Sequence, residues 1–293
     1  VAEFEVRHVL DVKATLGEAP AWSIEQGALF WVDIEKQTIN RFDPARGTNR
    51  VWPIGAIPGC FAFRKGGAVI ATNRGYYDFD FATGALARIC DAPFDPDVFR
   101  FNDGKVDRQG RFWVGSIPFA FKIDGPGEGT FYCYEAGRVR PGIEGIKVPN
   151  GTAFSPDGTT MYRAESMDRY ILAYDYDPAS GTPSNPRVFA TMPDGFGIPD
   201  GATVDSEGCL WTAVPFGITG KVARFTPDGA LDLQFDVPVL VPTMVTFGGP
   251  NMSTLYITSG RIEASLNRPV SPLGGDIFAV ETRFRGIPEA LLA

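Results

Sequence analysis

The sequence predicts an all-β fold, a six-bladed β-propeller, and three observations lead there. The first is an internal repeat. Pro149-Asn150-Gly151 and Pro199-Asp200-Gly201 each open a short apolar strand, then a turn, then a second apolar strand. The second is the recurrence of six such strands at intervals of roughly 40 to 50 residues, the length of a blade of four antiparallel strands. The third is composition: 34 Gly, 24 Pro and 13% aromatic residues in a 293-residue chain favour short strands joined by turns over helices.

In chain order the recurring strands are Leu29-Phe30-Trp31-Val32, Ala68-Val69-Ile70-Ala71, Arg111-Phe112-Trp113-Val114, Thr160-Met161-Tyr162, Cys209-Leu210-Trp211-Thr212 and Thr254-Leu255-Tyr256-Ile257. Gly27, Gly67, Gly110, Gly158 and Gly208 precede five of them and mark turns. A third strand follows in each unit, from Ile39-Asn40-Arg41-Phe42 in the first to Asp276-Ile277-Phe278-Ala279 in the last. A blade cannot bury both faces alone, so the aromatics on these strands are expected to pack between blades. Glu3 to Leu10 alternates in character and is expected to supply an outer strand to the last blade. No linker or shift of composition divides residues 1–293, so one domain is expected.

Charge and cysteine usage narrow the function. The formal net charge of −8 argues against nucleic acid and anionic membranes as partners. Cys60, Cys90, Cys133 and Cys209 form no C-x-x-C pair, and with His8 the only histidine a Cys/His zinc cluster is not expected. The cysteines are read as reduced, apolar packing residues and the protein as cytoplasmic. No apolar run has a signal peptide's character or the length of a membrane helix.

The repeat also points to a site. The stretch 11 to 13 residues before each recurring strand is expected to precede the innermost strand of its blade, so these stretches converge on the central channel. They contain Glu18, Pro58-Gly59, Asn102-Asp103, Asn150, Asp200 and Pro242-Thr243. Four blades thus offer an oxygen-bearing side chain at one end of the channel. Glu18, Asn150 and Asp200, with Asn102 or Asp103 close by, form a set of hard oxygen ligands. Such a set suits one divalent cation: Ca²⁺, Mg²⁺ or Mn²⁺, and through the carboxylates Zn²⁺ or Fe²⁺. Taken alone, Asp103-Gly104 and Asp157-Gly158 read as turns.

The ordered set Leu16-Gly17-Glu18-Ala19-Pro20-Ala21-Trp22, Trp31-Val32-Asp33-Ile34, Arg100-Phe101-Asn102-Asp103-Gly104-Lys105, Pro149-Asn150-Gly151, Pro199-Asp200-Gly201 and Phe247-Gly248-Gly249-Pro250 resembles the SMP-30/gluconolactonase/luciferin-regenerating family over about residues 11–280. The resemblance implies a six-bladed propeller that hydrolyses sugar lactones with a bound metal. It implies Glu18, Asn150 and Asp200 as metal ligands, Asp200 also as general base, and Arg100 and Asn102 as substrate-binding residues with Asn102 near or at the metal. Two departures touch the site mouth. Gly115-Ser116-Ile117-Pro118-Phe119-Ala120-Phe121 lacks the acidic residue that regucalcin-like members carry there, and Arg163-Ala164-Glu165-Ser166 replaces an Ala-Asp-Ser pattern. Pro118 to Gly129, rich in Gly and Phe, reads as a lid and hints at a less polar lactone.

The absence of G-x-S-x-G and the N-terminal position of the only histidine argue against a serine-hydrolase mechanism. A calcium-dependent aryl-ester or organophosphate hydrolase on the same propeller, and a metal-binding propeller without activity, stay open as alternatives. A strictosidine-synthase-like propeller is disfavoured, because it has no need of the Glu/Asn/Asp set. A small-molecule partner and a monomer are expected.

Overall fold

Short runs of three to ten residues, cut by Gly- and Asp-containing turns, give the chain its elements. A computed structural model describes residues 4–293, with the backbone alone at 265 and 266. The described residues form six four-stranded antiparallel sheets. Five are sequential: residues 17–53, 58–91, 99–146, 149–191 and 202–237. The sixth takes three strands from residues 242–281 and its fourth from Arg7–Leu10. The innermost strands are Gly17–Ser23, Pro58–Arg64, Phe99–Val106, Pro149–Phe154, Ala202–Val204 and Pro242–Gly248. Each meets the innermost strands of the blades on either side, which closes the ring of a six-bladed β-propeller.

Burial follows position within the blade. The second strand of blade 1, Ala28–Asp33, is buried throughout, whereas its fourth, Thr48–Pro53, is mostly exposed. The strands recognised in the sequence are these second strands, because stacking on two neighbouring blades demands a continuous apolar run. Trp31, Trp113 and Trp211 are fully buried between blades. The indole N–H of Trp113 donates to Tyr176 at 2.8 Å, and that of Trp211 to Asp205 at 2.8 Å. Asp157-Gly158 is the expected turn, with Gly158 at φ 71°.

The ring closes as the sequence suggested. Arg7–Leu10 pairs antiparallel with Ile277–Glu281; Glu3 of the expected segment lies outside the described residues. The buried carboxylate of Asp276 accepts the backbone N–H groups of Val12 and Lys13, both at 3.0 Å, and so ties the chain entering blade 1 to blade 6. Trp22 stacks on Tyr256 across the same seam, ring centroids 5.5 Å apart.

Residues 282–293 were not anticipated as an element. They form a strap across the end of the channel where the first strands finish. Phe284 sits against Trp211 with centroids 5.3 Å apart, under the Arg224 guanidinium at 3.9 Å. Farther along, Leu292 N–H donates to Phe63 O at 2.8 Å and Ala293 N–H to Gly110 O at 3.2 Å. Between these anchors Glu289 pairs with Lys105 of blade 3 at 2.6 Å. Among the described residues no helix is long and apolar enough to cross a membrane.

Candidate metal and substrate site

The residues singled out by the repeat lie on the innermost strands rather than before them, except Asp200, which precedes Ala202–Val204. The strand pairing explains how they are aimed. Register shifts fall between Glu18 and Ala21, Pro58 and Cys60, Phe101 and Gly104, Asn150 and Ala153, and Pro242 and Met244. Each breaks inward-outward alternation, and in blades 1, 3 and 4 it falls at or beside a candidate side chain. In blade 4 the bulge needs a positive φ, supplied by Gly151 at 62°. In blade 1 the residue after Glu18 adopts the same conformation without glycine: Ala19 has φ 47°, a strained backbone beside a candidate ligand.

Three candidate residues, Arg100, Asn102 and Asn150, are joined by hydrogen bonds. Arg100 Nη1 donates to Asn102 Oδ1 at 2.7 Å and to Phe101 O at 3.0 Å. Asn102 Nδ2 donates to Asn150 Oδ1 at 2.6 Å and to Pro149 O at 3.0 Å. Asn150 Nδ2 donates to Ser166 Oγ at 3.1 Å, and Ser166 Oγ donates to Pro199 O, the carbonyl preceding Asp200, at 2.7 Å. Asn102 therefore gives its oxygen to Arg100 and its amide nitrogen to Asn150. Asn102 thus lies next to the candidate ligand Asn150, with one lone pair of its oxygen on the arginine.

The acids complete the site. Asp103 was legible only as a turn when taken alone, but it lies in the bulge of Phe99–Val106 and is buried. Its carboxylate accepts Thr152 N–H at 2.7 Å and Gly104 N–H at 2.8 Å. Burial pushes its carboxyl up to about 6, against the pull of those two N–H groups. Burial also pushes Glu18 well above the ordinary carboxylate range, with the charges of Asp200 and Asp103 adding to it. Asp200 is raised well above its range by burial and then by Asp103. Among the described residues none of the three forms an ion pair. Three mutually repelling carboxylates without a cationic partner, beside a neutral amide oxygen, have the donor chemistry that fits a divalent cation.

Elsewhere, Asp205, Glu207 and Cys209 bring their ligand atoms within 4.8 Å of one another. The group lies at the turn end of blade 5 and already has its cation. Arg224 Nη2 reaches Asp205 at 2.8 Å, and both Asp205 oxygens are further used by the N–H groups of Glu207, Cys209 and Trp211. This cluster is a structural ion pair network, and the channel acids are the better metal candidates.

Around the mouth, residues 119–128 connect Phe112–Pro118 to Gly129–Glu135, and Arg100 pairs in register with Ile117 just before them. The segment read as a lid thus starts beside Arg100. Its Phe119, Phe121 and Ile123 are exposed. Burial lowers Arg100, while Glu35 and Glu18 raise it. All four cysteines are free thiols.

Comparison with known proteins places this geometry. The model of the SMP-30/Gluconolactonase/LRE-like region matches residues 16–261. The chain belongs to this family. It is 37% identical to a 6-deoxy-6-sulfogluconolactonase of Pseudomonas putida, over 96% of each chain. It is 33% identical to a pentonolactonase of Haloferax volcanii, over 97% of each. Among solved structures, a calcium-binding protein, regucalcin, from Agrobacterium tumefaciens superposes with a TM-score of 0.90 at 28% identity, covering all of both chains.

Proposed function

We propose that the protein is a divalent-metal-dependent hydrolase that opens a sugar lactone to the free acid. The observation that carries this reading is the Glu18/Asn150/Asp200 set at the channel mouth, flanked by Arg100, with Asn150 and Asp200 buried, Glu18 half-buried and the carboxylates in no ion pair among the described residues. Its relatives' names, a sulfogluconolactonase and a pentonolactonase, support the substrate class. The calcium-binding regucalcin supports a metal, and Ca²⁺, Zn²⁺, Mn²⁺, Mg²⁺ and Fe²⁺ are all compatible with the donors.

Glu18, Asn150 and Asp200 would hold the ion. When bound, it supplies Lewis-acid stabilisation of negative charge on the lactone oxygen and acidifies water. The chain's own residues do the rest. Asp200 takes a proton from water as the water oxygen attacks the carbonyl carbon. The ring C–O bond then breaks, and the ring oxygen leaves as a hydroxyl on taking the proton held by Asp200, which restores the carboxylate. Arg100 spends Nη1 on Asn102 and Phe101, which leaves its other N–H groups for substrate oxygens. Asn102, fixed by Arg100, borders the same space.

Asp200→Asn keeps the shape and removes both the base and a ligand charge. It is expected to lower kcat on the order of 10²–10⁴-fold with the propeller still folded; near-normal turnover refutes the assignment. A panel of lactones on chelated protein, with metals restored one at a time, identifies ion and substrate. The exposed rings of Phe119 and Phe121 favour a second reading of specificity, an apolar lactone such as dihydrocoumarin. Clearly faster turnover of polar sugar lactones rejects it. Ring closure by Arg7–Leu10 buries the core without a second copy, so a monomer is the proposed state.

A further inference from the structure

The hydrogen bonds at the site run in one direction. Arg100 can only donate, and the carbonyl of Pro199 can only accept. Between them Asn102, Asn150 and Ser166 each accept one bond and donate the next: Arg100 Nη1 to Asn102 Oδ1 at 2.7 Å, Asn102 Nδ2 to Asn150 Oδ1 at 2.6 Å, Asn150 Nδ2 to Ser166 Oγ at 3.1 Å, Ser166 Oγ to Pro199 O at 2.7 Å. The series crosses from blade 3 through blade 4 to the entry of blade 5. Both ends have fixed polarity, so every amide between them has one permitted orientation.

We propose that Ser166 is a positioning residue for the metal site, acting through Asn150 and through the backbone before Asp200. This rests on the metal-site reading above. The hydroxyl has one proton, and Pro199 O takes it. Only its lone pairs then face Asn150, so Asn150 must present its amide nitrogen to Ser166 and its oxygen to Asn102 and the site, with one lone pair on Asn102 and a second for an ion. The same bond holds Pro199, and with it the backbone that enters Asp200. Ser166 and its partners are buried, with Ser166 at 0% and Asn150 at 7% exposure, so water cannot substitute for a lost bond. Ser166 touches neither ion nor substrate in this arrangement. It controls the presentation of two of the three ligands from separate blades.

Calorimetric titration of chelated protein with Ca²⁺ and with Zn²⁺ tests this, alongside thermal melts of the metal-free forms. Ser166→Ala is expected to weaken metal binding 10–100-fold, the usual effect of losing a residue that orients a ligand. Ser166→Thr, which keeps the hydroxyl, is expected to recover affinity at least partly, even if its extra methyl lowers the melting temperature. Ser155→Ala is the control. Ser155 also lies in blade 4 and loses bonds to Asp157 and Thr160, but at the opposite end; its metal affinity should match the parent's. Glu18→Gln separates the two levels of argument. If Glu18→Gln abolishes binding while Ser166→Ala binds within threefold of the parent, the positioning role is overturned and the metal site stands. If Glu18→Gln has no effect, or the parent binds neither ion, the site reading falls and the role of Ser166 falls with it. Should Ser166→Ala fail to fold, equal weakening by Ser166→Thr and Ser155→Ala overturns the proposal, because a hydroxyl at 166 would then carry nothing specific.

Discussion

The charges of Asp200 and Asp103 act on Glu18, and that of Asp103 on Asp200, so the titration of these acids ties metal to protons. Each carboxyl is raised in the metal-free protein, Asp103 to about 6 and the other two well above their usual range, with burial the leading cause. A raised folded-state value means that the folded protein holds protons the unfolded chain has released. The stabilisation is complete below the ordinary value near 4 and is lost as pH rises through about 6 and beyond. A cation competes with those protons for the same oxygens. The rise in melting temperature on adding saturating metal should therefore grow from pH 5 to pH 7. A shift independent of pH places the bound ion away from these acids. The sequence made Glu18, Asn150 and Asp200 legible because the repeat aligned them. The repeat placed Asn102 or Asp103 beside them without choosing, because Asp followed by Gly usually marks a turn; the register shift in Phe99–Val106 leaves Asp103 a buried acceptor. Ser166 carried no signal of its own, since its role depends on a 2.7 Å bond to a backbone carbonyl of the next blade.

The innermost strand is the element that turns a repeat into a site, and blade 2 shows how a strand without a ligand contributes. Its Pro58-Gly59 occupies the position held elsewhere by Glu18 or Asn150. A Cβ on Gly59 would lie 2.5 Å from the carbonyl carbon and oxygen of Phe101 and 2.7 Å from Asn102 O. Blade 2 thus supplies space, letting the backbone of Arg100-Phe101-Asn102 approach the axis. Gly59→Ala would push that backbone outward. Overpacking against rigid main chain costs about 1–3 kcal/mol, and the displaced Arg100 and Asn102 should raise KM more than they lower kcat. Melts and steady-state kinetics check this; an unchanged KM would show that blade 3 does not depend on the gap. Second strands were legible as apolar runs because both faces are covered. Bulges were not, because a register shift is set by pairing between strands and leaves no periodic trace.

At the scale of the whole molecule, a propeller has two mouths, and the chain treats them differently. One holds the acids, Arg100 and the long loop of blade 3. The other is crossed by residues 282–293, which lie outside the repeat and so offered no periodicity to read. The strap joins blade 5 to blades 2 and 3 through Phe284, Leu292 and Ala293, and so braces the ring across its diameter. Phe284 is its main apolar anchor, 5% exposed between Trp211 and Arg224. Removing that ring should leave a cavity beside Trp211 and an arginine that keeps only the more distant Trp211 ring, at 5.6 Å, of these two neighbours. Phe284→Ala is expected to destabilise the protein by about 3–5 kcal/mol, the usual range for a buried Phe, measured as a lower denaturant midpoint. Turnover per folded molecule should stay close to the parent's, because the strap meets the channel at the end away from Asp200 and Arg100. A loss of turnover without loss of stability would mean that the two mouths communicate, and Lys105, paired with Glu289 at one end and two residues from Asp103 at the other, is the connection such a result would implicate.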